Sequence, residues 1–477
     1  MISTKACRRL LGYDCNFLVL LSFPIVLFST HNASASDCVW QADGVPKADW
    51  NVLEHWEGGC VGRIATSSDD VDVYPQTLLI TESQSANSLN LVNEMTELEL
   101  NLDPGESLTV IQDLDISAGK GITGNGDINV GADLIMDMSP ITDPYDWADR
   151  ARFSGSGNIN IGGELILFSN YYTWFEMPQV SFDNRNLRLN GDKVSNISGI
   201  RKVEFANLNV GESATLNFNA FQFNETNLIL SSTVGPGEGS LYNKGELNFK
   251  EASGGESPPV LIQGLDVVNE GSLTTEAVIV IESGNYTQES GQTKQGNRIT
   301  TDELLINGGT LVAYTESENN YWSFGKADLE GDLTSNGSII IAGDQVGTFN
   351  VDGNYVQGSD GVLNLDVSDV DELEYDKLAA TGSATLDGVM ELDFSAGYAA
   401  EEIVTLEVLT AENIFGEFES VSVVGLPDDK YKWAIVYKLS DTAGDSVALT
   451  ITPVPLPAAA WLFLGGFLFV RIRFLKK

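Results

Sequence analysis

The feature that most constrains the fold is a repeat within the chain. The segment GNGDINVGADLIM, from Gly124 to Met136, recurs as GSGNINIGGELIL from Gly155 to Leu167, a shift of 31 residues. A shorter unit, in which an Asn precedes a Gly turn and a short apolar run, begins at Asn243, Asn269, Asn307 and Asn336. Periods of this length are typical of solenoids, in which each repeat buries its apolar face only against its neighbours.

Alternation of apolar and polar residues covers the middle of the chain, as in SLNLVNEMTELELNL and GVLNLDV. Clusters of Gly, Asn, Asp and Ser interrupt these runs at intervals of roughly ten residues, a spacing that indicates many short strands. The chain is therefore predicted to be all-β. The repeat favours a right-handed parallel β-helix, and a string of antiparallel β-sandwiches is the alternative.

The N-terminus has the composition of a secretory signal peptide. Basic residues at Lys5, Arg8 and Arg9 precede the apolar run FLVLLSFPIVLF, and the small-residue triplet Ala33-Ser34-Ala35 follows. This order predicts export and cleavage by signal peptidase after Ala35, with Ala33 and Ala35 as the two alanines of the A-x-A cleavage site. A retained N-terminal membrane helix is the alternative.

Cleavage at that point leaves two cysteines, Cys38 and Cys60. In an oxidising compartment they are expected to form a disulfide. Two free buried thiols are the other interpretation.

The charge of the chain limits its partners. The formal net charge is −42. Loss of residues 1–35 removes three basic residues and one acidic residue, which leaves −44, and loss of the tail removes four more basic residues, which leaves −48. Such a surface repels nucleic acid and anionic lipid and favours cations, above all Ca²⁺. No cofactor is otherwise predicted.

The start of the mature chain, DWNVLEHWEGGC followed by a D-D-V strand at Asp69, resembles the opening of many bacterial surface β-helices. The resemblance implies a cap, in which bulky indoles cover the open end of the first coil. Stacking of Trp40, Trp50 and Trp56 on sugar rings is the alternative. Towards the other end, DKLAATGSATLDGVMELDF, from Asp376 to Phe394, resembles the distal coils of autotransporter-like passenger domains, which again implies architecture and no activity.

The tail VPLPAAAWLFLGGFLFVRIRFLKK resembles a PEP-CTERM sorting signal, found on exported proteins of Gram-negative, exopolysaccharide-producing bacteria. Leu456 replaces the usual acid of the family's Val-Pro-Glu-Pro motif. The matching residues are Val454, Pro455, Leu456 and Pro457, followed by an apolar run and a basic tip that includes Arg471 and Arg473.

By resemblance, an exosortase would cut near this motif and send the protein to the outer surface or the extracellular space. The short apolar helix would anchor the chain transiently in the inner membrane, with its basic tip on the cytoplasmic side. A permanent C-terminal anchor is the alternative.

Few residues of the mature chain suggest catalysis. His55 is the only histidine that remains, which argues against a Ser-His-Asp triad and a His-rich zinc site, and it is expected to be a structural turn residue. Carboxylates could act in pairs as acid and base. Their densest cluster, otherwise expected to be a solvated loop, contains Asp366, Asp369, Asp371, Glu372, Glu374 and Asp376.

The sequence thus predicts a signal peptide (1–35), an N-terminal cap (36–75), β-helix repeats (76–395), a C-terminal β cap (396–453) and a sorting signal (454–477). We expect an exported, non-catalytic protein of the cell surface or extracellular matrix, structural or adhesive and associated with exopolysaccharide in a biofilm or floc. A polysaccharide lyase or glycosidase on the same scaffold is the alternative.

Overall fold

The computed structural model divides the chain into two units, Met1–Ser34 and Ala35–Lys477. It describes residues of the second unit only: 36–41, 47–51, 56–60, 65–74, 77–91, 97–103, 105–116, 121–137, 152–168, 179–219, 227–250, 259–314, 327–341, 346–369, 374–395, 402–440 and 444–454. Within these ranges the regular secondary structure is β-strand throughout.

The strands are short, and their bounds are β1 Ser36–Trp40, β2 Lys47–Asp49, β3 Trp56–Gly58, β4 Asp69–Val73, β5 Thr77–Ile80, β6 Gln84–Ala86, β7 Ser88–Leu91, β8 Glu97–Asn101, β9 Ser107–Val110, β10 Leu114–Asp115, β11 Gly121–Asn125, β12 Asp127–Val130, β13 Leu134–Asp137, β14 Arg152–Phe153, β15 Ser156–Ile161, β16 Leu165–Phe168, β17 Gln179–Ser181, β18 Asn184–Leu189, β19 Val194–Ser198, β20 Lys202–Phe205, β21 Asn207–Val210, β22 Thr215–Asn219, β23 Leu228–Ser232, β24 Gly239–Asn243, β25 Glu246–Lys250, β26 Val260–Gln263, β27 Leu265–Asn269, β28 Ser272–Thr275, β29 Ile279–Glu282, β30 Tyr286–Gln288, β31 Gln292–Gln295, β32 Ile299–Ile306, β33 Thr310–Ala313, β34 Asp328–Ser335, β35 Ser338–Ile341, β36 Thr348–Asp352, β37 Tyr355–Gln357, β38 Val362–Asp369, β39 Glu374–Tyr375, β40 Lys377–Ala380, β41 Ser383–Leu386, β42 Val389–Phe394, β43 Val404–Ala411, β44 Asn413–Gly416, β45 Ser420–Val424, β46 Tyr431–Lys438 and β47 Asp445–Pro453.

Three parallel ladders organise these strands, and the chain visits them in rotation. The first ladder runs from β2 through β5, β8 and β11 to β43, and the second runs from β6 through β9, β12 and β15 to β44; together they belong to a 29-stranded sheet. The third ladder runs from β1 to β45 and comprises all but β3 and β39 of an 18-stranded sheet. At about 4.8 Å between strands, the third ladder is about 70 Å long.

Alternating burial explains why the strands stack. In most strands every second residue is buried, so each ladder turns one apolar row inwards. In the second ladder Ile128 lies beside Ile159, which lies beside Leu187, one residue from each successive coil. Burial of one such side chain contributes about 1.5–3 kcal/mol. Inward residues of all three ladders form one continuous apolar core.

A buried amide column lies where the second ladder turns into the third. The Asn243 amide donates to the Ser272 carbonyl of the next coil at 2.9 Å, and the Gln288 amide donates to the Gly308 carbonyl at 3.1 Å. Asn269 occupies the same column, whereas Asn307 lies one residue beyond it. The four Asn-containing units are therefore not equivalent.

Close packing, and not a positive φ, explains why position 245 in one of these turns is a glycine. A Cβ on Gly245 would lie 2.2 Å from two carbonyl oxygens of neighbouring turns. Neither Asn243 nor Gly245 has a positive φ. The Asn243 amide serves as a donor to the next coil, and the glycine makes room for the carbonyls of neighbouring turns.

The two ends of the stack are built differently. At the N-terminal end β3 pairs antiparallel with the outer edge of β1, and at the C-terminal end β47 pairs antiparallel with both β43 and β46.

The prediction of an all-β, parallel-stranded fold is confirmed, and the antiparallel β-sandwich alternative is wrong. The long ladders are those of a β-solenoid-like architecture. The expected hydrophobic C-terminal helix lies outside the described residues.

Candidate functional site

The outer face of the third ladder carries a column of carboxylates in its first coils, which we call the acidic column. It contains Asp70, Asp113, Asp133 and Glu164, all half-buried, and Ser88 lies between Asp70 and Asp113. Two of these acids accept a backbone amide of the next coil: the Asp133 N–H donates to Asp113 Oδ1 at 3.1 Å, and the Glu164 N–H donates to Asp133 Oδ1 at 2.7 Å. These bonds fix the carboxylates in a row along the stack.

The outer face of the second ladder carries a column of amide and carboxylate side chains, which we call the outer amide column. Asn158 Nδ2 donates to Asp127 Oδ1 at 3.2 Å, Asn186 Nδ2 donates to Asn158 Oδ1 at 3.2 Å, and Asn207 Nδ2 donates to Asn186 Oδ1 at 2.7 Å. Ser240 continues the column by donating to Asn207 Oδ1 at 2.9 Å. Each side chain repeats one coil further along because parallel, in-register pairing places equivalent residues side by side.

These columns can present oxygen ligands and hydrogen-bonding groups at regular intervals. Carboxylate and amide oxygens are the ligands that Ca²⁺ prefers, and Asp113, Asp133 and Glu164 are the residues that could hold it. Repeated amides and carboxylates also match the hydroxyl groups of a polysaccharide. The sequence signal was visible in the 31-residue repeat, where Asp127 and Asn158 occupy equivalent positions.

The densest acidic cluster of the sequence is not uniformly solvated. Asp376 is 1 % exposed, and its two oxygens accept the backbone N–H groups of Gly347 and Asp366, both at 2.8 Å. Burial, followed by the nearby charge of Asp366, raises the pKa of Asp376 to about 7, although the two N–H donors oppose this effect. The expectation of a solvated loop is therefore wrong for Asp376, because this carboxylate joins two backbone segments.

Asp376 also offers no sign of an acid–base pair. Both of its oxygens are engaged by backbone donors, and the described side chains place no lysine or arginine in hydrogen-bonding contact with it. Asp371 and Glu372 lie outside the described residues, as do the side chains of Asp369 and Glu374.

A surface cluster on the second ladder combines one acid, one lysine and one tyrosine. The Tyr242 hydroxyl donates to Glu270, and Lys244 Nζ lies 3.2 Å from Glu270 Oε2. The hydrogen bond from Tyr242 lowers the pKa of Glu270, so this carboxyl stays ionised and is unsuited to act as a general acid.

The three tryptophans of the first coil are buried. Trp40 and Trp50 are 0 % exposed and Trp56 is 2 % exposed, and the Trp56 indole donates to the Trp50 carbonyl at 2.8 Å. The rings of Trp50 and Trp56 meet edge to face with 4.9 Å between centroids. Rings without exposed faces cannot stack on sugars, so the sugar-platform alternative is wrong for this structure.

Cys38 and Cys60 are joined by a disulfide, with 5.0 Å between their Cα atoms. Together with Asp69 they form a cluster in which candidate metal ligands lie within 4.8 Å of one another. The sulfurs are bonded to each other, and Asp69 Oδ2 accepts hydrogen bonds from the Thr66 N–H and hydroxyl at 2.8 and 2.9 Å. This chemistry is that of a disulfide-tied segment at the start of the third ladder and not of a metal centre.

One buried cation was missed by sequence reasoning. Arg185 is 0 % exposed and donates to the carbonyls of Gly126 at 2.8 Å and Gly124 at 2.6 Å, two coils away. It passes over Gly157, which occupies the equivalent position one coil back and has no side chain in the way. Burial lowers the pKa of Arg185 to about 10, which keeps the guanidinium charged at neutral pH.

Most predicted processing residues lie beyond the described ranges. Val454 is described, and its N–H donates to the Lys430 carbonyl at 2.7 Å directly after β47. The remaining ones, together with His55, fall outside: Ala33, Ala35, Pro455, Leu456, Pro457, Arg471 and Arg473.

No protein-family model matches the chain, and no curated protein matches it. Across the described part of the chain, no helix is long and apolar enough to span a membrane. The fold and the outer columns therefore define a class only, that of all-β proteins with long parallel ladders.

Proposed function

We propose that this chain is an exported, non-catalytic protein of the cell surface or extracellular matrix, built as a right-handed parallel β-helix. It presents a rigid acidic surface to exopolysaccharide, as a structural or adhesive component of a biofilm or floc. The observation that carries the proposal is the pair of outer columns, because they offer repeated polar groups in fixed register along the stack.

The route to the surface follows from the two termini. Signal peptidase releases the chain after Ala35, and the tail holds it transiently in the inner membrane of a Gram-negative bacterium. An exosortase then processes the motif at Val454–Pro457, and the protein reaches the outer surface or the extracellular space. The hydrogen bond from Val454 to Lys430 ties the first residue of the motif to the end of the described strands.

Association with polysaccharide can be tested together with catalysis. The purified protein is incubated with the acidic exopolysaccharide of its host, with Ca²⁺ or with a chelator, and co-sedimentation and new reducing ends are measured. We expect Ca²⁺-dependent association, because the metal would bridge carboxylates of the acidic column and of the polymer. Release of sugar fragments or unsaturated uronates would favour a lyase or glycosidase instead.

A matched pair of variants tests the acidic column itself. Both carry three isosteric substitutions and change the net charge equally. The first removes the column charges with Asp113→Asn, Asp133→Asn and Glu164→Gln; the control removes exposed charges elsewhere with Asp360→Asn, Asp428→Asn and Asp429→Asn. Weakened association of the first variant alone supports the column, whereas equal weakening of both would reduce its role to net charge.

A further inference from the structure

The chain contains four Asn-Gly pairs, and the structure places them in different surroundings. They are Asn125-Gly126, Asn190-Gly191, Asn307-Gly308 and Asn336-Gly337. In such a pair the glycine nitrogen can attack Cγ of the asparagine side chain, because glycine has no side chain of its own in the way. The reaction needs an asparagine amide that is free to turn, a glycine N–H that no acceptor holds, and access for water.

Asn125-Gly126 is held on both sides of the bond that would form. Asn125 Oδ1 accepts the Ser156 N–H at 3.1 Å and the Ser156 hydroxyl at 3.0 Å. The Gly126 N–H donates to the Ser156 carbonyl at 3.0 Å. Both reacting groups must leave these partners before they can meet, so the next coil protects this pair.

Asn307-Gly308 is held in a similar way, although less tightly. Asn307 is exposed, but its Nδ2 donates to Glu289 Oε1 at 3.0 Å. The Gly308 N–H donates to the Gln288 carbonyl at 3.3 Å. This pair therefore has access to water and lacks the freedom to turn.

Asn336-Gly337 is protected by packing. Gly337 is buried and Asn336 is half-buried. Asn336 Oδ1 lies directly against Gly358, since a Cβ added to that glycine would be 1.9 Å from this oxygen. The side chain has little space in which to turn, and water has little access to the glycine nitrogen.

Asn190-Gly191 meets all three requirements. The pair lies in the turn between β18 and β19, where Asn190 is exposed and Gly191 is half-buried. The Asn190 side chain forms no hydrogen bond with the residues that the structure describes, and the Gly191 N–H donates to no backbone carbonyl among them. The Asn190 N–H donates to the Ile161 carbonyl at 2.9 Å, which leaves both reacting groups free.

We propose that Asn190 is a site of spontaneous deamidation. The Gly191 nitrogen forms a bond to Asn190 Cγ, and the bond from Cγ to the side-chain nitrogen breaks. The N–H proton departs with that nitrogen as ammonia. Water then opens the resulting succinimide ring at one of its two carbonyls, which gives aspartate or isoaspartate and one additional negative charge. This inference does not depend on the proposed surface function.

Isoaspartate would disturb this coil, because the turn has no space for a longer backbone. A Cβ on Gly191 would lie 2.1 Å from the Gly162 carbonyl oxygen of the preceding coil. Isoaspartate adds a methylene group to the main chain beside this contact. We therefore expect faster amide exchange in β19, which directly follows the turn, once Asn190 has reacted.

Peptide mapping of the aged, full-length protein tests the proposal. The protein is kept in mildly alkaline heavy-oxygen water and digested in ordinary water, so that mass spectrometry counts only the oxygen incorporated before digestion. We expect about tenfold more label at Asn190 than at each other pair, because elsewhere a hydrogen bond or a buried turn must open first. The same protein unfolded in urea is the control, in which all four pairs should react at similar rates.

A variant tests whether hydrogen bonds set this order. Glu289→Ala removes an exposed acceptor and frees the Asn307 amide, so labelling at Asn307 should rise a few-fold while labelling at Asn190 stays unchanged. Equal labelling of all four pairs in the folded protein would overturn the proposal. So would an unlabelled Asn190 in folded protein whose urea-unfolded control reacts.

Discussion

Replacement of Asp376 by asparagine should change how the stability of this protein depends on pH. The carboxylate is 1 % exposed and accepts two backbone N–H groups, and its pKa is raised from 3.8 to about 7. Between these values the folded protein binds one more proton than the unfolded chain, so the contribution of Asp376 to stability is complete below about pH 4 and is lost as the pH rises through 7.

The size of the effect follows from the two pKa values. Each pH unit in this window is worth about 1.4 kcal/mol, so the free energy of unfolding should fall by about 4 kcal/mol between pH 4 and pH 7 through this group. Asparagine has no charge to lose, but its NH₂ group would face one of the two N–H donors and leave it unpaired, at a cost of about 1–3 kcal/mol at all pH values.

Urea unfolding of the wild type and of Asp376→Asn from pH 4 to pH 8 measures this difference, and amide exchange at Gly347 and Asp366 reports it locally. The variant should be the less stable protein at pH 4, and its deficit should shrink or reverse by pH 8. Asp360→Asn removes an exposed carboxylate and should follow the wild-type profile. Parallel profiles for Asp376→Asn and the wild type would refute the argument.

Three further substitutions probe the buried contacts. Arg185→Met leaves the carbonyls of Gly124 and Gly126 without this donor and should cost about 3–5 kcal/mol in urea unfolding, whereas exposed Arg188→Met should cost almost nothing. Gly157→Ala places a Cβ 2.4 Å from a carbonyl oxygen at φ +128° and should destabilise the protein by more than about 2 kcal/mol, whereas Gly237→Ala, which meets no atom within 4 Å at φ +73°, should cost about 1 kcal/mol. Cys60→Ser removes the disulfide and should cost about 3 kcal/mol, measured against reduced wild type as the control.

The repeats made the architecture predictable, because a fixed period places equivalent residues one coil apart. The shift of 31 residues between the segments at Gly124 and Gly155 reappears in the structure as the in-register pairing of Asp127 with Asn158 and of Ile128 with Ile159. The outer columns were therefore implicit in the sequence once coils stack in parallel.

Contacts that depend on a single coil could not be predicted in the same way. Arg185 occupies the position that Gly126 and Gly157 occupy in the preceding coils, so it interrupts the repeat and looks like an exposed substitution. Asn269 and Asn307 look alike in sequence, yet a one-residue difference in register makes only the first a buried donor. Such outcomes depend on the shape of the adjoining coil, which alternation of polarity does not encode.

Burial of Asp376 was hidden for a related reason. The surrounding run DVSDVDELEYD is acidic throughout, and composition gives no ground to separate one of its carboxylates from the others. Only the antiparallel pairing of β38 with β39 brings the Asp366 N–H to the Asp376 side chain. The pairing of β38 with β39 therefore distinguishes Asp376 from the other acids of a segment whose sequence is uniformly acidic.

The matched register of the segments at Gly124 and Gly155 also bears on how genes for such proteins can change length. Residues one period apart lie side by side in the second and third ladders. Unequal recombination between the two coding segments would therefore insert or delete a whole coil, lengthening or shortening the protein by about 4.8 Å while the terminal structures keep their partners. Length is thus a trait that can vary in discrete steps, without redesign of the core.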